Sequence, residues 1–120
     1  METVVYWLPR VGAGITLLIG LVGFFRPRLF LDQVGIALQT PAGWSEARGV
    51  FGGLNLGMAV AALGLGDPVI FTALGMGWGG VTLARFWSLA VDGIGLQASI
   101  APLLIDGGLC FLFLSPLLLG

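Results

Sequence analysis

Apolar residues in this chain come in long unbroken runs rather than in alternation, and polar residues gather at the joints between the runs. Spanning roughly 30 Å of hydrocarbon takes about 20 helical residues. Four windows reach that length, at about 4–25, 44–66, 68–91 and 99–119. Alternation would point to the strands of a closed barrel. Continuous runs select helices, whose backbone groups pair within their own segment. The pattern therefore predicts an all-α integral membrane four-helix bundle, one transmembrane domain over residues 1–120.

The joints carry helix-start signals. Thr40-Pro41 and Ser45 both suit the start of the second span, and Asp67-Pro68 supplies an N-cap and a first-position proline for the third. Asp92-Gly93 opens the next connection. The segment 26–43 mixes Pro27, Asp32, Gln33, Gly35 and Gln39 with Leu29, Phe30, Leu31, Val34, Ile36 and Leu38. It is too short and too polar to span. A short helix lying at the interface is expected there, with Arg26 and Arg28 reaching lipid headgroups. Tyr6 and Trp7 sit where interfacial anchors belong.

Composition agrees with lipid as the solvent. The chain is 58% hydrophobic and 9% charged, with a mean hydropathy of +1.05, whereas a soluble domain carries about 25% charged residues. A net charge of −1, with no histidine and no lysine, argues against a nucleic-acid partner. The single cysteine, Cys110, lies in an apolar run, so no intramolecular disulfide and no His/Cys metal site are expected. The first run has acidic Glu2 rather than a basic cluster ahead of it and no small-x-small cleavage signal, so it is expected to be a retained span.

Glycine is abundant, with 21 residues concentrated in the spans. Gly49, Gly53 and Gly57 are four apart and continue to Ala61, which predicts a flat groove on the second helix. Gly75 and Gly79 repeat the spacing on the third helix, as Gly12, Thr16 and Gly20 do on the first. Small residues let helix backbones approach closely in lipid. These faces predict packing within the bundle, a homo-oligomer, or docking into a larger membrane protein complex.

The polar residues follow a seven-residue spacing, close to two helical turns. Arg48 and Asn55 share it on the second helix, Trp78, Arg85 and Asp92 on the third, and Ser99 and Asp106 on the fourth. Arg85 and Asp106 both lie about seven residues from the same end of the bundle, on the order of 10 Å deep. A lone charge at that depth costs about 2.5–3.5 kcal/mol, so the two are expected to face inward and pair. Arg48 has Glu46, Asp32 and Asp92 as candidate partners, and the Trp78 indole could donate to the Asn55 carbonyl oxygen. One reading of Glu46, Arg48, Asn55, Trp78, Arg85, Asp92 and Asp106 is a polar intramembrane cavity for a lipid headgroup, quinone or other amphiphilic or anionic ligand. The other is a buried pair that fixes helix register. No nucleophile stands beside a base, so no enzyme, catalytic residue, cofactor or metal is expected.

Arg26, Arg28 and Arg48 fall on one side of the predicted bundle and Arg10 on the other. The positive-inside rule places the three in the cytoplasm and both termini in the periplasm. The run Ser45-Glu46-Ala47-Arg48-Gly49-Val50-Phe51-Gly52-Gly53-Leu54-Asn55-Leu56-Gly57 stands with Gly79-Gly80, Leu83-Ala84-Arg85-Phe86-Trp87-Ser88-Leu89 and Asp92-Gly93. Together with Phe25-x-Pro27 and Phe30-Leu31, these resemble the bacterial membrane family called domain of unknown function 4345. The resemblance covers nearly the whole chain. It implies a small four-helix inner-membrane protein without an established activity, in which Glu46, Arg48, Gly53, Gly57, Arg85, Asp92 and Gly93 occupy motif positions. Small multidrug exporters are similar in size but rely on a glutamate inside the first helix, and this chain has no acid there beyond Glu2.

Overall fold

The computed structural model describes residues 1–120, and the chain is all-helical. In order come α1 (Glu2–Phe25), a one-turn α2 (Arg28–Leu31), α3 (Pro41–Ala47), a π-helical turn (Arg48–Gly53), α4 (Leu54–Leu65), α5 (Pro68–Val91) and α6 (Leu96–Leu119). α3, the π turn and α4 run on as one segment, Pro41–Leu65. With it, α1, α5 and α6 make four helices long and apolar enough to cross a membrane, each of 24 or 25 residues. That suggests a multi-pass membrane protein and is compatible with a four-helix bundle.

Local chemistry sets the boundaries. Thr40, extended at φ −130°, accepts a hydrogen bond from the Gly43 amide at 3.0 Å, with Pro41 at the first helical position. Of the two candidate starts for the second span, the chain uses the earlier. Asp67 does the same for α5, accepting from the Val69 amide at 2.8 Å ahead of Pro68. The expected interfacial helix shrinks to the single turn of α2, because Gly35 adopts φ +83° and closes it. The amide of Ile36 donates to the Leu31 carbonyl and that of Gly35 to the Asp32 carbonyl, the paired reversal that ends helices on a left-handed glycine.

Proline inside α6 is accommodated locally. Pro116 has no N–H for the carbonyl of Leu112, one turn earlier, and the buried Ser115 hydroxyl donates to that oxygen at 2.8 Å.

The fold divides into two compact units. One comprises residues 1–12 and 66–120, the other residues 13–65. In the first, α5 and α6 pair antiparallel. Gly75 lies against Leu114 and Phe113, Gly79 against the Cys110 sulfur, and Thr82 opposite Gly107, a steady slide of partners along the two helices. Phe71, Leu74, Leu109 and Phe113 form its apolar centre, with the Phe71 and Phe113 rings 6.4 Å apart. Gly12 of α1 lies over Leu112 and Phe113. The small residues expected at Gly12, Gly75 and Gly79 are thus contact points, and Cys110 is one of the surfaces they meet.

In the 13–65 unit, the end of α1 and the second span also run antiparallel. A Cβ at Gly20 would come within 2.7 Å of the Leu56 amide nitrogen, and one at Gly23 within 2.6 Å of the Phe51 carbonyl carbon. One at Gly52 would overlap the Phe24 backbone. The second span therefore contributes Gly52, not Gly49, Gly53 and Gly57, to this close crossing. Within the unit, a Cβ on Gly49 or Gly57 meets no other atom within 4 Å, and one on Gly53 meets only the Arg48 carbonyl of its own turn. The same stretch carries the π turn. Its i→i+5 bonding, seen where the Leu54 amide reaches the Gly49 carbonyl, puts an extra residue into the turn.

Candidate functional site

A charged pair lies on the α5–α6 hairpin. Arg85 Nε donates to Asp106 Oδ2, an ion pair in which the carboxylate side chain is 5% exposed and the arginine side chain 37%. Ser99, seven residues before Asp106, is also buried, so the polar face of α6 turns inward within its unit. Around the pair, neighbouring polar groups are satisfied along α5. Ser88 Oγ donates to Asp92 Oδ2 at 2.7 Å, and Thr82 Oγ1 to the Trp78 carbonyl at 2.8 Å. Asp106 is held by one guanidinium, with no second carboxylate to share a proton and no hydroxyl or thiol bonded to it. That arrangement fixes two helices against each other.

Arg48 pairs with neither Asp32 nor Glu46, the two candidate carboxylates of its own unit. Its Nη1 donates to the carbonyl oxygen of Phe24 and, at 3.3 Å, to that of Phe25, the last two residues of α1. Those carbonyls have no amide partner further along the helix and sit at the negative end of its dipole. A cation there supplies the missing donors and contributes on the order of 1–2 kcal/mol. Asp32 is instead within 3.6 Å of Arg28. Glu46 is exposed and makes no hydrogen bond or ion pair. Asn55 donates from its amide nitrogen to the Phe51 carbonyl at 2.9 Å, one turn earlier in the second span.

Sequence reasoning had no signal for the Arg48 capping role, because its acceptors are backbone oxygens and carry no letter of their own. The π turn had a faint one. Three glycines in six residues, Gly49, Gly52 and Gly53, leave a helix with few side chains to hold a tight turn. The chain matches no protein-family model, no curated protein and no solved structure.

Proposed function

We propose that this chain is a non-enzymatic multi-pass protein of a bacterial inner membrane, with both termini periplasmic. It acts by lateral association, as a homo-oligomer or as a small subunit of a larger membrane complex, through the glycine face of its second span. The observation that carries the proposal is the contrast between used and unused glycines. Gly20, Gly23 and Gly52 are consumed in the crossing of the 13–65 unit, while Gly49, Gly57 and Gly64 stand open in it. Val60, one turn from Gly57 and Gly64, is 61% exposed. An interior glycine costs a helix about 1 kcal/mol relative to alanine, and against lipid tails it gives nothing back. Another backbone closing on that face would offset the cost. The resemblance to domain of unknown function 4345 supports the same size and setting. The arginine placement supports the orientation.

Gly57→Leu is the test, since the position is open and a leucine fits it without disturbing the unit. Association in liposomes, read by energy transfer between labelled copies, is expected to weaken about tenfold, or ~1.4 kcal/mol. Wild-type chains that stay monomeric at all protein-to-lipid ratios, with no larger complex in mild detergent, would refute the proposal. So would Gly49→Leu and Gly57→Leu variants that associate as the wild type does.

A further inference from the structure

Three of the chain's five arginines border one shallow depression at the foot of the 13–65 unit. Arg26 and Arg28 reach it from the connection after α1, and Arg48 from the second span. Trp44 closes one side, Phe25 and Leu29 flank it with apolar surface 64% and 56% exposed, and Asp32 is the lone acid. The local balance is three positive charges against one negative. The rest of the chain holds two arginines and five acids, so the depression reverses the polarity of the molecule around it. Even with about half a negative charge for the end of α1, the depression stays positive.

The donors are free to be used. The Arg26 guanidinium makes no hydrogen bond or ion pair in the chain. The Arg28–Asp32 pair is 3.6 Å long and more than half exposed on both sides, so water or a competing anion can replace it. Arg48 spends Nη1 on the α1 carbonyls, which leaves Nε and Nη2 and fixes the position of the whole group.

We infer that this depression binds a phosphate-type oxyanion, carried by an anionic membrane phospholipid. Guanidinium groups fork onto phosphate oxygens with charge-assisted bonds. The indole of Trp44 suits the headgroup level, and Phe25 and Leu29 offer a path for acyl chains beside the charged groups. The inference needs the chain to lie in a bilayer. It does not need the association proposed above, and a monomer would bind as well.

The experiment is native mass spectrometry of the protein released from nanodiscs of mixed phosphatidylglycerol and phosphatidylcholine. Protein recovery in nanodiscs separately reports whether the chain inserts. Wild type is expected to retain phosphatidylglycerol preferentially, and each arginine removed is expected to lower that preference about fivefold. Arg26→Gln with Arg28→Gln is the informative variant, because neither side chain supports the fold as Arg48 does. Asp32→Asn is expected to raise retention, since it removes the competing carboxylate, a gain that a purely structural role would not give. Loss of the bound lipid on adding millimolar inorganic phosphate would assign the site to the free oxyanion, and its persistence to the lipid-borne one. Equal retention of the two lipids by wild type, or an unchanged preference in the double variant with intact circular dichroism, overturns the inference.

Discussion

Alanine at Gly52 is expected to destabilise the chain by about 3 kcal/mol or more, at the top of the range for overpacking, while alanine at Gly57 is neutral or stabilising by up to about 1 kcal/mol. Both changes add one methyl group to a glycine in the same helical segment, five residues apart. What separates them is the object the methyl meets. At Gly52 it runs into the backbone of Phe24, and at the facing Gly23 it runs into the backbone of Phe51. A side chain can turn aside, but two helix backbones can only move apart, and every contact along the crossing then loosens with them. At Gly57 nothing in the unit stands in the way, and alanine removes the entropy cost of glycine. Reversible unfolding in mixed micelles, followed by helix circular dichroism, measures both. Equal effects at the two positions would mean that the close crossing of α1 with the second span is misplaced.

The second large effect concerns the charged pair of the α5–α6 hairpin. Arg85→Met leaves the Asp106 carboxylate, 5% exposed, without its counter-charge. Removing one partner of a fully buried pair costs about 3–5 kcal/mol. With the Arg85 side chain 37% exposed, partial solvation lowers the expectation to about 2–3 kcal/mol. Asp106→Leu should cost a similar amount by stranding the guanidinium. The double variant Arg85→Met with Asp106→Leu is expected to recover most of the loss, because an apolar pair of similar volume has no charge to desolvate. A double-mutant cycle in the same unfolding assay gives the coupling directly. Strictly additive losses would show that the two groups act independently and that the pair does not hold the hairpin.

The parts of this molecule that were legible beforehand are those written in local chemistry. Four apolar runs declare four helices, and Thr40-Pro41 and Asp67-Pro68 declare two starts, because capping needs only the next three residues. The Arg85–Asp106 pair was legible from matched depth on two helices. The glycine that the α1 crossing uses on the second span, Gly52, lies outside the four-residue series Gly49, Gly53 and Gly57 and so was not singled out by spacing. Arg48 was assigned a carboxylate because sequence shows charged side chains and hides helix ends. The carbonyls of Phe24 and Phe25 become acceptors only once α1 is known to stop there.

The extra residue held between Arg48 and Gly53 also bears on how this chain can vary between relatives. Deleting one residue from an ordinary helix turns everything beyond the cut by about 100° and breaks its contacts. Here the helix already carries a surplus, stored in a glycine-rich turn whose ends are fixed by Arg48 on one side and the Gly52 crossing on the other. Single-residue length changes in the four long helices of homologous chains should therefore collect in this one place. Elsewhere in the spans, sequences should align without gaps.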